Sequence, residues 1–119
     1  LRPLARLQRA RDFQRLFREG RRYRGRLLTL VVRPGAPEEP LRAAPICSKK
    51  VGGAVVRNRI KRRFREILRL APWQSGTVAD LAVIAHPPAA EANFAALEAE
   101  LSVALRRAGL TAEATGDVR

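Results

Sequence analysis

Between Arg57 and Arg65 the chain reads RNRIKRRFR. Arg57, Arg59, Lys61, Arg62, Arg63 and Arg65 carry positive charge, and Ile60 and Phe64 interrupt them four residues apart. Cationic forks at this density neutralise phosphates and stack on bases, so the chemistry they offer is recognition of a polyanion. Bond breaking by protein side chains needs something else: clustered carboxylates for a metal, or a positioned general base. In the basic half of the chain the acids are Asp12, Glu19, Glu38, Glu39 and Glu66, with no group of them at ligand spacing. Cys47 is the single cysteine and His86 the single histidine. That excludes an internal disulfide and a cysteine-rich zinc site, and leaves His86, followed by two prolines, as a loop-facing imidazole with no metal role.

The charge is lopsided. The chain has 119 residues, with 24 Lys+Arg against 11 Asp+Glu and a formal net charge of +13. Residues 1–70 hold 21 basic and 5 acidic side chains, whereas residues 71–119 hold 3 and 6. Such asymmetry predicts a cationic face that meets a polyanionic partner rather than a uniformly charged particle. The length suits one domain around one core, taken as residues 1–119 with a frayed tail from about residue 110. No apolar run is long enough for a bilayer, and the N-terminal LRPLARLQRARDF has charge without the apolar centre of a secretory signal, so the expected location is the cytoplasm.

The elements that must position the cations follow from periodicity and punctuation. ARDFQRLFRE, residues 10–19, places Phe13, Leu16 and Phe17 at helical spacing, and Gly20 follows. RRYRGRLLTLVVRP, residues 21–34, has the β-branched and apolar density of one strand, closed by the turn GAPEEP. LRAAPICSKKV, residues 41–51, can pair back on it as a second long strand, with Pro45 marking an edge or a bulge because it has no N–H for the ladder. After Gly52-Gly53 a helix is predicted from about Ala54 to Ala71, stopped by Pro72. VADLAVIAHPP reads as a buried strand, and Glu91 to Arg107 as a final amphipathic helix carrying Phe94, Leu97, Leu101, Ala104 and Leu105.

At about 100° per residue, Val56, Ile60, Phe64, Ile67 and Ala71 fall within one sector of the long helix and form its core edge. Arg57, Lys61, Arg65 and Asn58 make a strip on one flank, while Arg59, Arg62 and Arg63 lie along the other. A solvated helix mixes signs along its surface. Here Glu66 is the only acid between Arg57 and Arg69, so the helix is a three-sided rod with one oily side and two cationic ones.

The stretch SKKVGGAVVRNRIKRRFRE, residues 48–66, resembles the conserved block of the bacterial ribonuclease P protein component, with Arg-Asn-Arg opening a basic helix after Ser-Lys-Lys and a small-residue turn. RDFQRLFREGRR resembles that family's first helix, and DLAVIAHP its last strand, so the likeness covers about Leu7 to Arg107. The resemblance implies an α+β fold: a four-stranded mixed sheet with helices packed on it, ribosomal protein S5 domain 2-like, with a left-handed strand-helix-strand crossover. It also implies the protein subunit of a ribonucleoprotein endonuclease, in which a catalytic RNA holds Mg²⁺ and removes the 5′ leader of precursor tRNA. No dedicated metal site on the protein is expected, and no catalytic side chain.

Carried over residue by residue, the resemblance implies a leader-binding set of Phe13, Phe17, Val31, Arg57, Asn58, Lys61 and Arg65. It implies a second set for the catalytic RNA, comprising Lys49, Lys50, Arg59, Arg62 and Arg63. Plainer roles stand beside these. Phe13 and Phe17 also suit a core, Asn58 also suits a helix N-cap, Gly52 and Gly53 also suit a tight turn, and Trp73 suits a hydrophobic cover. The chain departs from the family in having Val31 where a sheet aromatic is frequent, with Tyr23 as a conceivable substitute, and in RAAPICSKK, where Pro45 precedes the Ser-Lys-Lys run. A structural ribosomal protein or general RNA chaperone is the alternative function. A helix-turn-helix DNA reader is disfavoured because no short turn and partner helix precede the basic helix.

Overall fold

A computed structural model describes residues 4–35 and 39–112. Its elements run β1 (Ala5–Arg6), α1 (Ala10–Glu19), β2 (Arg21–Arg24), β3 (Leu28–Pro34), β4 (Arg42–Ile46), α2 (Ala54–Leu70), β5 (Ala79–Ala85), a 3-10 turn (Pro87–Glu91) and α3 (Phe94–Arg107). The expected α+β class and mixed sheet are present, but the sheet has five strands in the order β1-β4-β5-β3-β2. The added strand is the two-residue β1, which pairs parallel with β4 through Ala5↔Arg42 and Arg6↔Ala43.

Two expectations about the strands need correction. Residues 21–34 form a hairpin rather than one strand: β2 and β3 are antiparallel and pair from Arg21↔Val32 to Arg24↔Thr29. The reversal is held from α3, where the Glu100 carboxylate accepts the Leu27 N–H at 2.8 Å and the Leu28 N–H at 2.9 Å. A Cβ on Gly25 would strike that carboxylate, which is why a side-chain-free residue stands there. Nor does β4 pair back on β3. It pairs parallel with β5 (Ala44↔Ala82, Ile46↔Ile84), and β5 in turn lies antiparallel to β3. Short-range logic favours a hairpin, but α2 carries the chain far enough for the parallel partner to win.

The hand of the β4-α2-β5 crossover follows from chirality. Leu41 and Ala43 turn their carbonyls to β1, where the N–H groups of Ala5 and Leu7 donate to them at 2.9 and 3.0 Å. The side chains of the same two residues join the core beneath α2. For an L-residue, carbonyl and side-chain directions together distinguish left from right. Viewed from α2 with β4 running upward, β1 lies to the right and β5 to the left, so the crossover is left-handed, against the strong right-handed preference. Pro45 shares the parity of Leu41 and Ala43, and therefore turns its missing donor outward, beyond the end of β1, where no ladder bond is lost.

Both faces of the sheet are covered. On one, α2 and α3 bury Ile60, Phe64, Ile67, Leu68, Leu97 and Leu101 against Leu30, Leu41, Leu81 and Val83. The oily side of α2 is centred on its second half: Leu68 is added to the predicted set, while Val56 and Ala71 at the ends are only half-buried. The last helix begins at Phe94 rather than Glu91, because the Asn93 side chain accepts the Ala96 N–H at 2.8 Å and caps it. Leu110 and Thr111 are buried, and Thr111 bridges Trp73, so the packed chain extends past residue 110; residues 113–119 of the expected frayed tail lie outside the described residues. Trp73 covers this edge as expected and donates its indole N–H to the Leu68 carbonyl at 2.9 Å.

On the opposite face, α1 lies across the sheet with Leu16 on Leu7, Val31, Ala44 and Ala82. Gly20 lets α1 turn directly into β2: a Cβ there would stand 2.8 Å from Val31 Cγ1. One end of this interface is ionic. Asp80, 1% exposed, accepts two bonds from the Arg42 guanidinium at 2.8 Å each, and Arg42 Nη1 reaches Asp12 of α1 at 3.2 Å. Arg33, paired in register with Asp80, stands 3.7 Å from it and donates to Glu19 at the other end of α1 at 3.0 Å. Asp80 pushes the Arg42 guanidinium further up from its ordinary range, so this cation stays charged at any working pH. Removing the buried carboxylate by Asp80→Asn leaves Arg42 and Arg33 under-compensated, and a loss of roughly 3 to 5 kcal/mol is expected. A urea unfolding midpoint unchanged from the parent would show that the network does not hold α1 down.

Candidate nucleic-acid interface

Where α1 stops covering the sheet, a row of side chains is left half-open. Ile46, Ile84 and Thr29 are register partners across β4, β5 and β3, with Arg24 of β2 at the end of the row. Ile46 and Ile84 are half-buried, and Thr29 is buried beneath His86, whose Nε2 lies 2.8 Å from the Thr29 hydroxyl. His86 Nδ1 donates to the Arg26 carbonyl at 3.2 Å, which leaves Nε2 to accept from Thr29. The imidazole thus closes one end of the floor, as a loop-facing group with both nitrogens engaged.

Phe13 and Phe17 of α1 form one wall. Their rings stack with centroids 6.1 Å apart at 23°, and both are half-buried against the cluster of Leu7, Leu16, Val31, Ala44 and Ala82 on which Ile46 and Ile84 also pack. They serve the core and keep an open edge at once, which joins the two roles that sequence left as alternatives. Arg22 of β2 lies 5.6 Å from the Phe17 centroid, a cation over an aromatic face. Sequence reasoning missed Arg22, although the register places it opposite Val31 and so on the α1 side.

The predicted flank of α2, which packs on the other face of the sheet, meets Phe13 at the β4 edge through Arg65. Cys47, next to Ile46, is close enough to Lys61 and Arg57 to be influenced by their charges. Arg65 joins Phe13, Leu7, Ala44 and Pro45 around a groove of about 490 Å³ at the β4 edge, with Arg6 and Arg69 at its rim. Asn58 and Arg65 are exposed, and Arg57 and Lys61 half-buried. Arg57 donates to the Gly52 carbonyl at 3.0 Å, which props its side chain at the helix entrance. The N-cap of α2 is Gly53, so the capping role weighed for Asn58 is not the one it has. Of the α2 cations, Arg69 is the one with an ion pair among the described residues, 2.7 Å from Glu66.

Two predicted positions are placed differently from what a contact surface requires. Val31, fully buried under Leu16 and Gly20, has no surface to offer a ligand; it packs α1 to the sheet. Tyr23, considered as its substitute, has the opposite parity in β2 and joins the core on the α2 and α3 side. On the second flank of α2, Arg59 and Arg63 bond the carbonyls of Ala90 and Ala92 at 3.1 and 3.2 Å. These bonds clamp the turn that leads to α3. Arg62 on α2, and Lys49 and Lys50 on the turn before it, are exposed and form the open part of that face. Among the described residues no group of three His, Cys, Asp or Glu side chains is arranged to hold a metal.

These observations define an α+β domain with a half-open apolar row and stacked rings on one face and a cationic helix flank at its edge. The comparisons narrow that class: the chain belongs to the Ribonuclease P family, whose model matches residues 1–109. It is 51% identical over 100 residues to the ribonuclease P protein component of Thermus scotoductus, covering 84% of this chain, and spans only 57% of that relative's length. It is 40% identical over 112 residues to the same component of Streptomyces bikiniensis, covering 86% of this chain and 89% of that one. The solved RNase P protein of Staphylococcus aureus superposes with a TM-score of 0.80 at 28% identity, over 90% of this chain and 97% of the other. That of Thermotoga maritima gives 0.73 at 26%, over 86% and 96%.

Cys47, packed against the core on the α2 side, reports on the flank of that helix. Burial pushes its thiol above the ordinary range, and the nearby charges of Lys61 and Arg57 offset part of that rise. Alkylation is expected to be slow near neutral pH and to accelerate only above the range where an exposed thiol titrates. Replacing Lys61 by Ala removes one of the offsetting charges and should move that rate profile to still higher pH; an unmoved profile would show that Lys61 does not act on Cys47.

Proposed function

We propose that this chain is the protein subunit of the ribonuclease P ribonucleoprotein. It binds the catalytic RNA and the 5′ leader of precursor tRNA, and thereby promotes endonucleolytic removal of the leader in the cytoplasm. The observation that carries this reading is the cleft itself. Phe13 and Arg65 line one groove with Leu7, Ala44 and Pro45, and Phe17, Ile46 and Ile84 pack with Phe13 on the same face of the sheet.

Each part has a task. Unpaired bases stack on the open edges of Phe13 and Phe17, a contact worth about 1 to 3 kcal/mol per base that tolerates any sequence. Phosphates of the same strand meet Arg57, Lys61 and Arg65, and the Asn58 amide can donate and accept beside them. With Val31 buried, the sheet contributes aliphatic contact through Ile46 and Ile84 instead of a further ring. The second RNA contact uses the other flank, where Lys49, Lys50 and Arg62 are free to reach a backbone and Arg59 and Arg63 add charge from clamped positions. Mg²⁺ is assigned to the catalytic RNA. No protein side chain is given a part in bond breaking.

Replacement of Arg57, Lys61 and Arg65 by Ala in the reconstituted holoenzyme should weaken precursor tRNA far more than mature tRNA, by about 1 to 3 kcal/mol in the difference. Equal losses for the two substrates would rule out a leader cleft. Replacement of Lys49, Lys50 and Arg62 should instead weaken assembly with ribonuclease P RNA and make it less steeply salt-dependent. Unchanged assembly in a salt titration would remove that face from the proposal, and stimulation of ribosomal RNA folding without stimulation of precursor cleavage would favour a ribosomal or chaperone role.

A further inference from the structure

The cations of α1 are not used by the cleft. Arg11, Arg15 and Arg18 recur at spacings of four and three, which places them along one stripe of the helix. Together with Arg9 and Gln14 they line a groove of about 560 Å³ on the outer side of α1. Its remaining walls are Arg42, Asp12 and Glu39. The acids there do not cancel the cations: Arg42 and Asp12 are bonded to each other at 3.2 Å, with Arg42 also held by Asp80, and four further arginines line the groove with Glu39. Glu39 adds its charge beside Arg42 as well. Arg18 has a partner in Glu19 at 3.3 Å, an exposed pair that water screens and that a phosphate can displace.

This groove lies across α1 from the cleft. The two are joined at the helix entrance, where Arg6, Leu7 and Phe13 border the first and Arg9 and Arg11 the second. A strand leaving the cleft past Phe13 therefore meets Arg6 and Arg9 and can follow the outer side of α1, which is about 15 Å long. The lining is polar and cationic, and no aromatic ring belongs to it, so it suits phosphates rather than bases.

Resting on the cleft reading above, we propose that the Arg9–Arg11–Arg15–Arg18 groove is a second, sequence-blind subsite that holds the phosphate backbone of the leader upstream of the segment in the cleft. It makes the affinity for precursor tRNA depend on leader length. A short leader ends inside the cleft and gains nothing from it, whereas a long one wraps the entrance of α1 and places its distal phosphates on the arginine stripe.

The test uses the holoenzyme reconstituted with ribonuclease P RNA and two precursor tRNAs, one with a leader confined to the cleft and one extended by a single-stranded tail. Parent protein is expected to bind the long-leader substrate several-fold more tightly. Arg11→Ala, Arg15→Ala and Arg18→Ala together should abolish that advantage, leave the short-leader affinity unchanged, and make the salt slope for the long leader shallower by about 2. Alanine favours helix, and an Arg→Gln triple variant that keeps the side-chain length gives a second reading should the first unfold. Equal losses for both leaders would place the stripe on the catalytic RNA or the tRNA body and overturn the subsite, as would an unaltered long-leader advantage. A failed cleft would show itself separately, as parent protein that does not distinguish precursor from mature tRNA.

Discussion

Asp80 is the carboxylate on which the arrangement turns. It is buried at the centre of the sheet, and the charges that neutralise it come from β4 and β3, through Arg42 and Arg33. Those two arginines then reach Asp12 and Glu19 near the ends of α1. A buried ion pair contributes little net stability, but it is exacting in geometry, because any other placement strands a charge away from water. The network therefore fixes where α1 lies. With α1 set over the row of Ala44, Ala82 and Val31, the next row is left half-open, and that row is the floor of the cleft.

The same economy is visible in the helix cations. A chain with this much positive charge repels itself; Arg33 and Arg42 are offset by acids, while Arg57, Arg59 and Arg63 are tethered by backbone carbonyls. Carbonyl bonding leaves the guanidinium charge in place while fixing its position. Arg59 and Arg63 thus connect the turn after β5 to α2 and still present a positive field on that flank. Asn58, Lys61, Arg62 and Arg65 are the side chains of α2 for which no such tether is seen among the described residues, and they are divided between the two flanks that the helical period separates.

Much of this was legible from residue order. The boundaries of α1 and the start of α2 followed from Phe13, Leu16 and Phe17 at helical spacing, and from the pair of glycines before Ala54. The two cationic flanks followed from the period alone. Strand partners did not. Residues 21–34 look like one strand because Tyr23 and the arginines of β2 lead into the apolar run of β3 with Gly25 the only turn residue between them, and the break there depends on Glu100, distant in sequence. Val31 was misplaced for a related reason: β3 is covered on both faces, so its apolar run carries no alternation to show which side is open.

Residue order by itself determined the local elements, the polarity of each helix face and the one-sided excess of positive charge, because periodicity, capping and net charge act over a few residues or over the whole chain without reference to contacts. Tertiary structure decided which strand joined which, the left-handed passage of α2, and which arginines remain available. Those outcomes depend on pairing across long separations: a carboxylate of β5 choosing arginines of β3 and β4, and a sheet row left open because a helix lies on the neighbouring one.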